Sequence, residues 1–199
     1  MISILLVNYN DWLNCLRIAH QFANRENFEI IIVDNNSNKN DQVIGQLSLI
    51  GNVKIIFNDQ NSGYSIGNNI AFSNSSGNTI VLSNPDVEFS IDALDKLLSN
   101  LTDDTILWPD IYINQTEPQE YIYGIDPTPK VKFQLFINKV LPFFFVRCKN
   151  EFHSNNIENR FSSSGCFFAM KRCVAETIFP LDEYIFLYNE EILIGKKMK

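Results

Sequence analysis

The sequence predicts an open α/β sheet, mostly parallel and flanked by helices, and two observations carry that prediction. Short runs rich in β-branched residues alternate with stretches of helical periodicity through the first half of the chain. Each apolar run is followed at once by a polar segment, as at the ligand-binding edge of a parallel sheet. Strands joined by crossover helices form right-handed parallel units, so this alternation favours a parallel arrangement.

Each element of the first half has a local justification. Ile2 to Val7 is an apolar run interrupted only by Ser3, which suits a strand buried on both faces. Asp11 is the expected cap of a first helix, whose apolar residues recur at helical spacing as far as Ala23. The same two signals, bounded by turn residues, predict strands at Glu29 to Val33, Val53 to Phe57 and Thr79 to Leu82, and helices at Asp41 to Ile50, Ile66 to Ser75 and Asp92 to Leu101.

The second half is less regular. From Trp108 to Arg160 the alternation stops and prolines and aromatic residues punctuate the chain. The run Val140 to Val146 is too short to span a bilayer, and a buried core, an oligomer contact and a membrane-surface contact all stay open for it. Regular structure returns at Phe161 to Met170, followed by a helix from Arg172.

Composition narrows the function classes. The chain has 199 residues and a formal net charge of −7, so one folded domain is expected and nucleic acid is an unlikely partner. No Cys-x-x-Cys pair suggests zinc, and we expect free thiols. No secretory leader and no membrane-spanning apolar run stands out, which predicts a cytoplasmic protein. No dinucleotide fingerprint or phosphate loop follows any strand, which argues against dehydrogenases and NTPases.

Six stretches, taken in order, resemble the family 2 glycosyltransferases, and most closely their rhamnosyltransferase-type branch in bacterial surface polysaccharide synthesis. They are Leu6 to Asn10, Ile32 to Ser37, Asn61 to Asn69, Leu82 to Val87, Ser164 to Arg172 and Phe186 to Glu191. The resemblance implies the GT-A nucleotide-diphospho-sugar transferase fold in a single domain, residues 1–199. Residues 1–107 would form the nucleotide-sugar-binding half and residues 108–199 the acceptor-side half.

The resemblance also implies a nucleotide pocket at the first two strand ends. Asp34 would accept the imide N–H of a uracil or thymine ring, with an Asx-turn or a helix cap as the structural alternative. Asn8, Tyr9 and Asn10 would line the base and ribose pocket together with Asn36. For Tyr9, packing alone stays open.

A glycine-containing segment before a helix is the candidate diphosphate site. Gly63 and Gly67 lack Cβ atoms, which lets a backbone approach a ligand, and helix N–H groups favour phosphate. Asn68 would then lie in the first turn of the helix, near the nucleotide. A glycine turn that simply starts a helix is the alternative.

Asp86 is the candidate metal ligand. Family members carry an acidic motif here, and in Asn84-Pro85-Asp86 only the final carboxylate is retained. The resemblance implies that Asp86 holds Mg²⁺ or Mn²⁺ against the diphosphate, whose growing charge the ion neutralises. A Pro-Asp turn without a metal is the alternative.

Glu190 and Glu191 match the acidic pair that contains the family's catalytic base. An inverting transferase needs one carboxylate within reach of the acceptor hydroxyl. The resemblance favours Glu191, and Glu190 stays open as the base. Two acids in the first turn of a final helix, favoured there by the helix dipole, are the structural alternative.

Together these residues predict an inverting glycosyltransferase that moves a sugar from a UDP- or dTDP-sugar to a saccharide acceptor, which we expect to be lipid-linked. Peripheral contact with the inner membrane face and homo-oligomerisation stay open. Relatives usually continue well past the acidic pair, so an inactive, truncated nucleotide-sugar-binding remnant is the second hypothesis. A sugar nucleotidyltransferase is a distant third, because Asn8 to Asp11 does not form the glycine- and basic-rich triphosphate loop that it needs.

Overall fold

The computed structural model describes residues 1–113, 117–118, 162–186 and 190–198. Its strands are β1 (Ile2–Asn8), β2 (Phe28–Asp34), β3 (Val53–Phe57), β4 (Thr79–Ser83), β5 (Ile106–Leu107), β6 (Tyr112–Ile113), β7 (Glu117–Pro118) and β8 (Phe167–Lys171). Its described helices are α1 (Trp12–Phe22), α2 (Asp41–Ser48), α3 (Gly63–Ser73), α4 (Ile91–Leu98), α5 (Arg172–Ile178) and α6 (Glu190–Lys197).

A six-stranded sheet organises the fold, in the order β3-β2-β1-β4-β8-β5. The first four strands of that order are parallel, which confirms the predicted α/β architecture. β8 runs antiparallel between β4 and β5, so its first residues lie at the edge where β4 ends. In the parallel pairs, Asn8 is opposite Asp34, which places the polar ends of β1 and β2 side by side.

Both faces of the sheet are covered, because successive strand residues point to opposite sides. On one face Ile4, Leu6 and Ile32 pack with residues of α1, α2 and α4. On the other face Leu5 and Ile31 pack with residues of α3, α5 and α6. Burial on both faces explains why the central strands are continuous apolar runs.

The helix ends differ from the sequence prediction in two places. Asp11 precedes α1 but makes no capping hydrogen bond, and its carboxylate instead accepts from Asn14 Nδ2 at 3.0 and 3.1 Å. α3 begins at Gly63 and not at Ile66, because Gly63 adopts a positive φ of 84° and its N–H donates to Asn61 Oδ1 at 3.1 Å. The glycine therefore starts the helix one turn earlier than the apolar pattern indicates, so Asn68 lies in the second turn of α3 and not in the first turn as predicted.

Some of the predicted features lie outside the described residues, and others lie within them. The run Val140 to Val146 and nearly all of the irregular segment lie outside them. In the described ranges, Cys15, Cys166 and Cys173 form no disulfide, and no helix is both long and apolar enough to cross a membrane. Glu190 and Glu191 lie in the first turn of α6, where the sequence places them.

Candidate active site

The ends of β1 and β2 carry a buried hydrogen-bonded group centred on Asp34. Asn8 is fully buried and Asp34 is 3% exposed. Asn8 Nδ2 donates to Asp34 Oδ1 at 2.7 Å and to Ser37 Oγ at 3.1 Å, and Ser37 N donates to Asp34 Oδ2 at 3.2 Å. Ser37 Oγ also donates to Asp34 Oδ1. The Asp34 carboxylate is therefore held in one orientation by its neighbours.

Asn8 serves this group as a support. Both of its amide hydrogens are used by Asp34 and Ser37, and its Oδ1 accepts from Asp11 N at 2.9 Å. Ser37 is a residue that sequence reasoning missed, although it closes the quoted Asp-Asn-Asn-Ser stretch. The available signal was the position of a serine three residues after a strand-end aspartate, which is typical of a turn stabilised by side chains.

Tyr9, Asn10 and Asn36 lie on the loops around that carboxylate. Tyr9 is 56% exposed, so its ring is accessible at the strand edge. Asn10 and Asn36 both adopt left-handed backbone, with φ of 59° and 60°. Asn10 N donates to Ser37 Oγ at 2.8 Å, which joins the two loops. Asn10 is thus tied to the Asp34 turn through Ser37, and all three side chains are exposed to solvent.

Two asparagines that sequence reasoning did not single out connect this edge to α3. Asn58 Nδ2 donates to Asn35 Oδ1 at 2.8 Å, and Asn35 Nδ2 donates to the Gly63 carbonyl at 2.9 Å. Asn35 is only 2% exposed. The ends of β2 and β3 and the start of α3 are thus held together by side-chain amides.

The two glycines of this segment are required by packing. A Cβ on Gly63 would lie 2.5 Å from the Phe186 carbonyl oxygen, and one on Gly67 would lie 2.7 Å from Val7 Cγ1. The space beside Gly67 is therefore filled by β1. Asn68 is 1% exposed, and its Nδ2 donates to the Tyr64 carbonyl at 3.0 Å. Packing of α3 against β1 thus explains the missing Cβ of Gly67, and contact of Gly63, Gly67 or Asn68 with a nucleotide stays a prediction.

Tyr64 joins α3 to the second half of the chain. Its N–H donates to the Phe186 carbonyl at 2.8 Å, and its hydroxyl donates to the Gly165 carbonyl at 2.8 Å. Burial, with the charge of Glu190, raises the pKa of Tyr64 well above its ordinary value, so the ring remains a neutral hydrogen-bond donor. Through these bonds the glycine segment and the acidic pair become neighbours.

Asp86 lies on the loop that follows β4. Asn84 N donates to the Cys166 carbonyl at 2.7 Å, and Arg17 Nη2 donates to the carbonyls of Pro85 and Val87 at 2.9 and 3.1 Å. These bonds fix the loop on both sides of Asp86, while the carboxylate itself is exposed. No hydrogen bond to it from another described residue is found.

The described residues fit a divalent ion whose coordination is completed by a bound phosphate group. Within the described ranges there is no group of three or more His, Cys, Asp or Glu residues that could hold a metal by itself. A hard cation bound through one carboxylate completes its coordination with phosphate oxygens and water. The exposed Asp86 carboxylate is a suitable donor for that arrangement.

Glu190 and Glu191 form a buried acidic pair beside Gly165. Their side chains are 7% and 8% exposed. A Cβ built on Gly165 would lie 2.9 Å from Glu190 Oε1 and 3.6 Å from Glu191 Oε2, so both carboxylates approach the space left by this glycine. Burial and the charge of Glu191 raise the pKa of Glu190 from 4.5 to about 7.

The structure therefore links most of the predicted site residues through a continuous series of contacts. Asp34 is connected through Asn35 to Gly63, and Tyr64 connects α3 to Gly165 and the acidic pair. The loop of Asp86 reaches the same segment at Cys166. A supported carboxylate, an exposed carboxylate and a buried acidic pair thus lie at the carboxyl ends of the parallel strands, the edge at which open α/β sheets bind ligands.

The chain belongs to glycosyl transferase family 2, whose family model matches residues 3–179. This confirms the family indicated by the six sequence stretches. A comparison with curated proteins finds no match.

Solved structures with the GT-A fold share the architecture at low sequence identity. S. aureus TarS 1-349 superposes with a TM-score of 0.65 at 14% identity, over 99% of this chain and 54% of TarS 1-349. GalNAc-T7, solved with UDP, GalNAc and Mn²⁺, gives 0.68 at 16% identity, over 100% and 40%. The mannosyltransferase PcManGT of Pyrobaculum calidifontis, in complex with GDP-Man and Mn²⁺, gives 0.62 at 11% identity, over 99% and 51%. This chain thus spans about half the length of these proteins or less.

Proposed function

We propose that the chain is an inverting glycosyltransferase that moves a sugar from a UDP- or dTDP-sugar to a saccharide hydroxyl. The observation that carries this proposal is the buried acidic pair beside Gly165, joined through Tyr64 to the start of α3. Membership of family 2 supports the transferase class. The sugar type, the acceptor and a role in bacterial surface polysaccharide synthesis, including the rhamnosyltransferase-type branch, are parts of the proposal.

Recognition of the base is assigned to the Asp34 group. An ionised carboxylate accepts hydrogen bonds only, and it pairs with the imide N–H that uracil and thymine present. Asn8 and Ser37 hold Asp34 in place, so little rotational freedom is lost when a base binds. Tyr9, Asn10 and Asn36 would surround the base and ribose.

The diphosphate is assigned to the segment from Gly63 to Asn68 and to Asp86. Asp86 would hold Mg²⁺ or Mn²⁺, which when bound neutralises charge on the departing nucleoside diphosphate. The Mn²⁺ in the GalNAc-T7 and PcManGT structures supports a divalent ion here. Arg17 and Cys166 hold the loop of Asp86 in place through its backbone.

Glu191 is the proposed general base. It takes the proton of the acceptor hydroxyl as that oxygen forms a bond to the anomeric carbon, on the face opposite the leaving group. The bond from the anomeric carbon to the diphosphate oxygen breaks, and its electron pair leaves with the nucleoside diphosphate. The products are the glycosylated acceptor, the nucleoside diphosphate and a proton on Glu191.

Titration calorimetry with UDP, dTDP and GDP, each with Mn²⁺, tests the donor site. We expect binding of UDP or dTDP, and we expect Asp86→Ala to weaken it at least tenfold. Asp95→Ala, which removes an exposed carboxylate of α4, is the matched control and should bind like the wild type. Absence of binding by either pyrimidine nucleotide, or unchanged binding and turnover in Asp86→Ala, contradicts the proposal.

A transfer assay separates the remaining hypotheses. Undecaprenyl-linked sugars test the lipid-linked acceptor, for which we propose a cytoplasmic protein with peripheral membrane contact. Donor binding without hydrolysis or transfer to any acceptor would favour the inactive remnant. Formation of a nucleotide-sugar from a nucleoside triphosphate and a sugar phosphate would favour a nucleotidyltransferase.

The proposal also includes a division into two halves, with the donor half at residues 1–107 and the acceptor half at residues 108–199. Any homo-oligomer is likewise part of the proposal.

A further inference from the structure

The acidic pair has a feature that a single general base does not require. Glu190 is 7% exposed and its Oε2 has no hydrogen-bonding partner among the described residues. A backbone hydrogen bond within Glu190 favours the ionised form, but burial of the carboxylate and the adjacent charge of Glu191 outweigh it. The neutral acid avoids both costs.

We propose that the two carboxyl groups share one proton near neutral pH, that Glu190 carries it, and that Glu190 thereby acts as a positioning residue for an ionised Glu191. This inference rests on the proposed function, in which Glu191 is the base. It assigns to Glu190 a role that is distinct from taking the acceptor proton.

The geometry supports the sharing of one proton. Glu190 Oε1 and Glu191 Oε2 lie within 2.9 and 3.6 Å of a single point, the position of a Cβ on Gly165, so no side chain separates them there. Two carboxylates on the same side of one glycine disfavour each other's ionisation, so the pair titrates as a unit.

The groups around Glu190 disfavour its negative charge. Among the described residues, Glu191 on the same helix and Tyr64 on α3 interact electrostatically with Glu190, and Cys166 follows Gly165, beside which the Glu190 carboxylate lies. Tyr64 donates its hydroxyl hydrogen to the Gly165 carbonyl, and Cys166 Sγ accepts a hydrogen bond from Ser164 Oγ at 3.0 Å. None of these three side chains brings a positive charge.

The protonated form has a chemical use in the proposed reaction. A neutral Glu190 leaves Glu191 as the ionised group of the pair, ready to accept the acceptor proton. If Glu190 also ionises as the pH rises, the repulsion between the carboxylates displaces Glu191 or raises its proton affinity. Activity should then fall on the alkaline side although the base remains ionised.

Glu190→Gln is the decisive variant, because the amide is neutral and nearly the same size as the protonated acid. In the wild type we expect kcat to decline above about pH 7. In Glu190→Gln we expect the alkaline decline of kcat to disappear, so that kcat stays level between pH 7 and pH 9, whatever its value at pH 6.5. Glu191→Gln should lose at least 100-fold in kcat, the usual scale for removal of a general base. Glu176→Gln, on the exposed side of α5, is the control and should keep the wild-type profile.

Two kinetic outcomes would overturn the inference. Loss of turnover in Glu190→Gln with retention in Glu191→Gln would make Glu190 the base itself. An alkaline decline that persists unchanged in Glu190→Gln would show that another group titrates there. Absence of transfer by the wild type would be a failure of the proposed function, and it would leave the next measurement unaffected.

The ionisation of the two carboxyl groups can also be measured without a transfer assay. Carbon-13 NMR of side-chain carboxyl groups follows each glutamate through a pH titration of the full chain. One carboxyl titrating near pH 7 in the wild type, and absent from Glu190→Gln, supports the inference. Ionisation of both carboxyls below pH 5 overturns it.

Discussion

Gly67→Ala is the substitution that most directly tests how α3 is placed on the sheet. The added Cβ would lie 2.7 Å from Val7 Cγ1 and 2.9 Å from Val7 Cγ2, closer than van der Waals contact allows. Alanine is favoured over glycine inside a helix by about 0.5–1 kcal/mol. Overpacking of a filled interface costs about 1–3 kcal/mol. The clash outweighs the helix preference, so we expect a net loss of about 1 kcal/mol in the free energy of unfolding.

Gly45→Ala provides a matched control within the same protein. Gly45 lies in α2, is exposed, and has nothing within 4 Å of a built Cβ. Only the helix preference acts there, so this variant should gain about 0.5–1 kcal/mol. In a chain of this size each kcal/mol moves Tm by roughly 2–4 °C. Thermal unfolding should therefore move the two variants in opposite directions.

The same experiment distinguishes packing from ligand approach at Gly67. If packing alone requires the glycine, Val7→Ala in the Gly67→Ala background should recover part of the lost stability, because the two side chains compete for one space. Donor affinity measured well below Tm should then be close to that of the wild type. A Gly67→Ala protein as stable as the wild type, with weak UDP or dTDP binding, would refute the packing argument and favour close approach of a ligand.

Three further predictions concern side chains whose environment is equally specific. The pKa of Glu190 is raised to about 7, so its neutral form favours folding below about pH 4.5, and that stabilisation is lost as the pH rises toward 7. Unfolding of the wild type and Glu190→Gln should be followed from pH 4.5 to 8. After allowance for screening, the free energy of unfolding of the variant should rise by about 2 kcal/mol relative to the wild type over that range. Burial raises the pKa of Glu29, but hydrogen bonds from Ser3 at 2.5 Å and from the backbone of residues 76 and 77 outweigh it and hold the pKa below its ordinary value of 4.5. The ionised form of Glu29 therefore stabilises the fold above pH 4.5, and this stabilisation is lost as the pH falls below that value. Glu29→Gln should reduce the acid sensitivity seen in thermal unfolding. Tyr64→Phe leaves the Gly165 carbonyl without its 2.8 Å partner and should lower the free energy of unfolding by about 1–2 kcal/mol in chemical denaturation, whereas an unchanged midpoint would show that the bond contributes nothing.

Local sequence was sufficient for the elements whose evidence is local. The apolar runs of β1, β2 and β4 are long and β-branched because these strands are covered on both faces, so their positions could be read directly. The polar residues that end them, Asn8 and Asp34 among them, could be placed at one edge because parallel strands end together. The family could also be recognised from these residues.

Residue roles were harder to predict, because they depend on partners distant in sequence. Asn8 was expected to line the pocket, and its amide turns out to support Asp34 and Ser37. Gly67 was expected near a ligand, and its missing Cβ accommodates Val7. Asp11 was expected to cap α1, but its carboxylate accepts a hydrogen bond from the side-chain amide of Asn14 instead. For Asp11 the packed structure decides between two partners, whereas contact of Asn8 and Gly67 with a nucleotide stays a prediction.

The sequence by itself determined the α/β class, the parallel arrangement of the first strands and the presence of carboxylates where strands end, because each follows from short-range periodicity and turn chemistry. Only the tertiary structure decided that β8 runs antiparallel beside β4 and brings Gly165 to that edge. The contact of Gly165 with Tyr64, more than 100 residues earlier in the chain, and with the acidic pair follows from that arrangement. The raised pKa of Glu190 is a consequence of it, since burial beside a second carboxylate is a property of the packed fold and not of the residue type.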